Sequence, residues 1–428
     1  MANDTHKGHE HAPSPRPVPQ DPRSEIGRNI RQYREALDLD QASLADLAKL
    51  GNKQTVSAIE RGERDVKAFE LSRIARALHV TMDAVLGLTS PVPVPQVLWR
   101  RREVSTLPSE PESRKWFLRR DAQLRERAQR YAMLEEWCAA DRSESLPVFN
   151  LDIREITYQR AAEMAERVRG SLDLGGIPAA SLEDTLATRF GVKIFYDALG
   201  LGGEASAACV RDDETFGCAV LLNSDDAPTR RAFSLAHELF HLVTWPSVAD
   251  ALEGDGITPG VKAPAWYVRM EKCAQSFAAA LLIPADGVNA ALEQRARQRA
   301  GERPVRPADH LEPSDYAFIA HGLFRVSTDA LLWRLVTLNH LSRDEREAVV
   351  GHPELSAWGM PAMARRGVFP DRFWELIRLA HQRGEAGLGK LAEFAEMSPT
   401  QLNEFLSVTE QDPDYEASIR ASSETALV

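Results

Sequence analysis

The sequence predicts a mainly α-helical chain with one small β-sheet. It should comprise a five-helix N-terminal domain, an α+β middle domain and a helical C-terminal region. Three observations predict it. Ser24 to Gly87 carries apolar residues at helical spacing, broken by short polar turns. The stretch from about Leu151 to Leu341 mixes helical stripes with two strand-like runs, Val192-Lys193-Ile194-Phe195-Tyr196 and Cys218-Ala219-Val220-Leu221-Leu222. From Arg343 the pattern is helical again, ending in a polar tail after Gln411, and no repeat of fixed period runs through the chain.

Composition bounds the function. The 428 residues allow two or three domains, and 43% hydrophobic with 27% charged residues supports a sizeable core. No run of eighteen apolar residues occurs, so no transmembrane helix is expected. Residues 1–23, rich in His, Pro and charge, lack the apolar stretch of a signal peptide and read as a disordered tail, which makes a cytoplasmic location the expectation. A formal net charge of -11 argues against indiscriminate coating of nucleic acid but leaves room for one small domain that binds a specific site. Cys138, Cys209, Cys218 and Cys273 are scattered without a CxxC pair, as free thiols of a reducing compartment would be. The alternatives are a Cys209–Cys218 pair or a metal contact from Cys273.

Taken in order, the expected divisions are a tail (1–23), a helix-turn-helix domain (24–88), a linker (89–112), a connecting helix (113–150), the middle domain (151–341), a helical module (342–410) and a second tail (411–428). The linker follows from Pro91, Pro93, Pro95, Pro108 and Pro111, which forbid continuous helix. Its cluster Arg100-Arg101-Arg102 reads as a solvated run, with phosphate contact as the alternative.

In the first domain Ile26, Ile30 and Tyr33 space one helix, and Leu44, Ala45 and Ala48 a second. Gly51-Asn52 supplies a turn. Val56 and Ile59 face inward on a third helix, which Gly62 closes. Leu71, Ile74, Ala75 and Leu78 make a fourth, and Met82, Val85 and Leu86 a fifth. Two short helices across a glycine turn suit a recognition helix entering a major groove. Its outward residues would be Lys53, Gln54, Thr55, Ser57 and Ala58. Gln54 suits adenine and Lys53 a phosphate or guanine, while Arg61, Arg64 and Lys67 could clamp backbone. A helical bundle that binds protein is the competing reading, because acidic and basic residues nearly balance here.

The middle domain holds the sharpest motif, His237-Glu238-Leu239-Phe240-His241. Histidines at i and i+4 share a helix face and can bind one zinc ion. In metallopeptidases with this pattern the intervening glutamate takes the proton from zinc-bound water. Asp226 is the expected cap of this helix, Pro228 its first turn and Trp245-Pro246 its end. The helix is apolar nearly all round, hence buried, and two histidines and a glutamate inside it need partners. A catalytic zinc site wants a third ligand. Glu271, on the border of an inward stripe of Ala274, Phe277, Ala278 and Leu281, is the best candidate. Asp250, Glu253 and Asp255, in an expected loop, are its rivals. An oxyanion-stabilising residue is not identified; His310, Tyr316, His321 and Tyr267 are candidates.

Resemblance sharpens both domains. Gln41-Ala42-Ser43-Leu44-Ala45, Gln54-Thr55-Val56-Ser57-Ala58-Ile59-Glu60-Arg61-Gly62 and Leu78-His79-Val80-Thr81-Met82-Asp83-Ala84-Val85-Leu86 resemble the phage-repressor (XRE, Cro/C1) helix-turn-helix. The turn before Gln54 is about one residue longer than that pattern. The resemblance implies binding to double-stranded operator DNA through Gln41, Lys53, Gln54, Thr55, Ser57 and Arg61. Cys218 to Asn223, Arg230 to His241 and Glu271 to Pro284 resemble the ImmA/IrrE metallopeptidase family, and so do Phe324-Arg325-Val326-Ser327 and Ala330 to Leu335. That resemblance implies a zincin-like fold, zinc held by His237, His241 and Glu271, and Glu238 as general base. Phe240 stands where the family often has glycine, which should narrow the cleft, and Gln275 where Asn or Asp is common.

The C-terminal stripes Phe373, Leu376, Ile377 and Ala380, then Leu388 to Ala395 and Leu402 to Leu406, read as a packing or dimerisation module. Two functions compete. One is a DNA-binding zinc endopeptidase that cleaves a regulatory protein such as a repressor, the theme of the resembled family. The other is a transcription regulator whose zincin-like domain senses a ligand, metal or partner. Glu238 favours hydrolysis, since sensing zinc needs no base beside it. A homodimer is the expectation from half-site geometry.

Overall fold

Apolar residues at helical spacing draw the first helices together, as the computed structural model shows. It describes residues 22–36, 39–78, 80, 82–87, 97–101, 111–140, 144–199, 205–255, 264–300, 311–353, 355 and 367–408. The two tails lie outside these residues but for the start of the first helix. The chain divides into two units, residues 1–94 and 95–428.

The first unit consists of α1 (Pro22–Ala36), α2 (Gln41–Leu47), α3 (Lys53–Glu60), α4 (Ala68–Ala77) and α5 (Met82–Val85). Ile30, Leu44, Val56, Ile59, Ile74 and Val85 form its buried centre. Each helix of the central pair has a cap. The Asp40 side chain accepts from the Ser43 amide, and that of Asn52 from the Thr55 amide. The turn between them is turned by Lys49 (φ 51°) and Gly51 (φ 88°), both left-handed. The α1–α3 contact depends on Gly27, where a Cβ would fall 2.4 Å from the Ile59 carbonyl oxygen. Beside it the Arg34 Nε donates to Glu60 at 2.6 Å and its Nη1 to the Leu39 carbonyl at 2.6 Å, tying α3 to α1.

The second unit is built on a four-stranded sheet of order β1-β3-β4-β2, from β1 (Leu98–Arg101), β2 (Lys193–Asp197), β3 (Ala205–Asp212) and β4 (Gly217–Asn223). β2 runs parallel to β4, β3 antiparallel to β4, and β1 antiparallel to β3 with Leu98 opposite Cys209 and Arg100 opposite Ala207. Neighbouring residues of a strand point to opposite faces, and the helices follow. On one face Phe195 and Trp99 meet α6 (Pro111–Trp137) through Tyr131 and through Trp116 and Phe117. On the other, Tyr196 lies under Arg231 of α9 (Pro228–Val243) and Arg100 reaches Ser234 of the same helix. Helices on both sides explain why β4 is apolar along its length.

α7 (Tyr158–Ser171) and α8 (Leu182–Thr188) lie between β1 and β2 along the chain. After α9 come α10 (Trp245–Asp255), α11 (Ala265–Leu282), α12 (Ala285–Ala300), α13 (Pro313–Ala317), a π-turn at Phe318–Phe324 that ends on left-handed Arg325, α14 (Thr328–Thr337) and α15 (Arg343–Val350). α11 packs between α7 and α9. Of the C-terminal helices, α16 (Asp371–Arg383) and α17 (Leu388–Phe394) pack on α6, and α18 (Pro399–Val408) packs on α17. Phe373 meets Tyr131 edge-on, and Trp137 stacks on Phe394. They share one core with the sheet.

Several sequence expectations need correction. The 89–112 linker contains β1, whose Val97-Leu98-Trp99 run was the overlooked signal, and α6 begins at Pro111. Arg102 lies outside the described residues, whereas Arg100 is drawn inward. β3 was missed because its small residues, Ala205 to Ala208, lack β-branched bulk. α9 is capped by Ala227, not Asp226; the Asp226 carboxylate lies 3.4 Å from Arg230 instead. Asp250 sits exposed on α10, a helix where a loop was expected.

Candidate metal centre

α9 is buried because it lies between the sheet and α11. That burial carries His237, Glu238 and His241 inside, at 0%, 0% and 2% exposure, and α11 brings Glu271 to them at 4%. The His237 Nε2 lies 3.2 Å from Glu271 Oε2, the His241 Nε2 3.3 Å from His237 Nε2 and 3.4 Å from Glu271 Oε1. Ligand atoms about 2.1 Å from a tetrahedral ion are about 3.4 Å apart, so all three spacings suit one zinc-sized cation. Two imidazole nitrogens and a carboxylate are also the donor types zinc takes at hydrolytic sites. The donor set and its geometry therefore fit the metal. Among the described residues this is the one such cluster of three.

Electrostatics supports the same use. Burial holds His237 well below the usual imidazole range and lowers His241 to about 4, so both imidazoles are neutral at pH 7, the form a metal would need. Glu271 is raised by burial, against the pull of His241, Arg100 and a hydrogen bond from the half-buried Tyr267. Tyr267, an oxyanion candidate from sequence, thus steadies the third carboxylate. Neither Glu238 oxygen has a hydrogen-bond partner among the described residues. Burial, then the neighbouring Glu271 charge, push its carboxyl up to about 8, against smaller pulls from the Cys209 thiol and Arg100. A carboxyl poised near neutrality can both accept and return a proton.

The other predicted residues fall elsewhere. Phe240 packs on Phe277 of α11, at 5.6 Å between ring centroids, and fills the α9–α11 interface. Gln275 is exposed. Tyr316 is buried, and the His321 Nε2 bonds Thr328. His310 and the side chains of Glu253 and Asp255 lie outside the described residues. All four cysteines are buried and free, and Cys273 lies against the Ile156 carbonyl rather than among the donors.

In the first unit Lys53 and Gln54 are exposed at the start of α3, and Thr55 and Ser57 are half-buried. Gln41 is partly engaged, its Nε2 donating to Glu60 at 2.8 Å. Arg61 pairs with Glu63 at 2.7 Å and bonds the Ser57 hydroxyl. Arg100, Ser234 and the Tyr267–Glu271 contact are the parts of the metal centre that sequence reasoning did not find.

Comparison with known proteins agrees with this division. Residues 187–335 match the peptidase M78 family model, the IrrE N-terminal-like domain, and residues 30–85 match a helix-turn-helix model. No curated protein matches the chain. A Mycobacterium tuberculosis transcriptional regulator of solved structure is 18% identical with a TM-score of 0.28, over 50% of this chain and 54% of that one, so this chain spans about half of it. Fold and site define a helix-turn-helix protein that carries a second, helix-rich unit built round a His–His–Glu cluster. More particularly, the chain is a fusion of an XRE-type helix-turn-helix with an ImmA/IrrE-type domain. Among the described residues no helix is long and apolar enough to cross a membrane.

Proposed function

We propose that the chain is a DNA-binding regulator whose second unit hydrolyses a peptide bond in a regulatory protein such as a repressor, with zinc held by His237, His241 and Glu271. The observation that carries this reading is the convergence of those three ligands beside Glu238, a buried carboxyl without a partner. When bound there, zinc supplies Lewis-acid polarisation of a carbonyl and acidifies water. Glu238 takes the proton of the attacking water as its oxygen bonds the carbonyl carbon. It returns that proton to the amide nitrogen as the C–N bond breaks, so no net proton is gained or lost. The neutral imidazoles and Glu271 hold the ion, with Tyr267 fixing Glu271. Lys53, Gln54, Thr55 and Ser57, with Gln41 and Arg61 at the flanks, read operator DNA. A homodimer would span two half-sites.

The test compares wild type with Glu238→Gln. Bound zinc per chain should be equal. Cleavage of co-expressed repressors, or of the chain itself, should occur only in wild type. Equal cleavage by both proteins would remove the hydrolytic reading.

One observation favours a second reading, a regulator that senses a ligand without proteolysis. A cavity of about 560 Å³ lies at the N-terminal half of α9, lined among others by Glu183, Arg231, His321, Arg325, Asp371 and Arg372. Under that reading Glu238→Gln leaves operator control intact.

A further inference from the structure

We propose that Arg100 is the anion-binding residue of the metal centre, where its guanidinium steadies the negative charge that develops on the carbonyl oxygen under attack. This rests on the hydrolytic reading and adds to it a residue from outside the segment matched to the M78 family, residues 187–335.

Position comes first. Trp99 points to α6, so the next residue of β1 must point to α9, and the Arg100 Nη1 donates to the Ser234 hydroxyl at 2.8 Å. Ser234 precedes His237 by three residues and Glu238 by four, which puts all three on one side of α9. The guanidinium also lies 5.5 Å from the centre of the Phe233 ring, which faces it without neutralising it.

The strand that delivers Arg100 is fixed. Leu98 is buried, and the Trp99 ring packs at 5.6 Å on Trp116 and 5.0 Å on Phe117 while its Nε1 donates to Asp121 at 2.6 Å. The charge is thus preorganised, and little is lost in ordering it when a ligand arrives.

Charge balance indicates the ligand. Arg127 and Arg34 are ion-paired with carboxylates at 2.7 Å and 2.6 Å. Arg100 donates to a neutral hydroxyl, and among the described residues its other donors make no hydrogen bond. Its field reaches Glu238 and Glu271. Asp226 also lies in its field but is matched by Arg230 at 3.4 Å. Beyond that pair, two neutral imidazoles, two carboxylates and one divalent ion sum to zero charge, so Arg100 leaves the centre one positive charge in excess. A tetrahedral oxyanion would balance it.

The experiment uses the full chain loaded with zinc, and inorganic phosphate as a tetrahedral oxygen anion, by calorimetry. Arg100→Met should bind phosphate about tenfold or more weakly, the loss typical of a charge-assisted hydrogen bond, with unchanged zinc per chain. Arg100→Lys should recover much of the affinity. Ser234→Ala keeps the cation and removes its tether, and should weaken phosphate severalfold even where Arg100→Met folds poorly. Equal affinity across wild type, Arg100→Met and Ser234→Ala, or no phosphate binding by zinc-loaded wild type, would overturn the assignment. Arg100-dependent phosphate binding in a chain that cleaves nothing would keep the anion site but overturn its oxyanion role together with the hydrolytic reading. Cleavage by wild type with Arg100-independent phosphate binding would overturn the assignment and leave the hydrolytic reading standing.

Discussion

Replacing Glu238 by Gln in the metal-free chain should raise the stability of the second unit, and raise it more as pH rises. In the folded chain the Glu238 carboxyl sits at about 8, against an ordinary value of 4.5. Below 4.5 both folded and unfolded chains hold the proton, and stability is untouched. Between 4.5 and 8 the folded chain keeps a proton that the unfolded chain gives up, so wild type loses about 1.4 kcal/mol per pH unit. From pH 5.5 to 7.5 that amounts to about 3 kcal/mol at most. Glutamine has no such titration. A difference of about 1–3 kcal/mol is therefore expected. All eight tryptophans lie beyond residue 94, so tryptophan fluorescence during urea unfolding, with a chelator present, reports the second unit alone. Adding zinc should shrink the pH dependence, because a cation favours the ionised carboxyl. Parallel stability curves for the two metal-free chains would refute the reasoning.

Three further outcomes follow from the described contacts. Glu60→Ala leaves the Arg34 guanidinium only Glu35 at 3.6 Å and the Leu39 carbonyl, and should cost the first unit about 1–3 kcal/mol, seen as faster amide exchange in α1 and α3 without a change in tryptophan unfolding. Gly27→Ala, with its Cβ 2.4 Å from a backbone oxygen, should cost the same unit about 1–3 kcal/mol, read from its thermal melt. Lys53→Ala should weaken DNA binding at all sequences alike and lower the slope of log affinity against log salt by about 1, measured by fluorescence anisotropy.

Legibility in the sequence tracked how local each signal is. The paired histidines and Glu238 lie within one turn and a half of helix, so spacing alone put the histidines on one face with Glu238 beside them. Glu271 needed the stripe of α11 to suggest that it faces inward, and its burial agrees with that. Gly62, closing α3 at φ 71°, was readable because its role depends only on neighbouring residues. Arg100 was not, since an arginine among prolines looks solvated until β1 is seen to pair with β3. The strand itself has four residues, too few for alternation to register. Asp226 misled for a related reason: a cap depends on backbone angles, and those place Ala227 at the helix start.

The outer place of β1 in the sheet bears on how this protein can be dissected. A fragment trimmed to begin at residue 151 would lack both β1 and α6. The β3 amides would then form a bare rim, open to lateral joining with another molecule, and the aromatic side chains beneath α6 would meet water. Trimming near residue 95 instead retains the seal, so soluble expression of the longer fragment and clumping of the shorter one is the behaviour to anticipate at the bench.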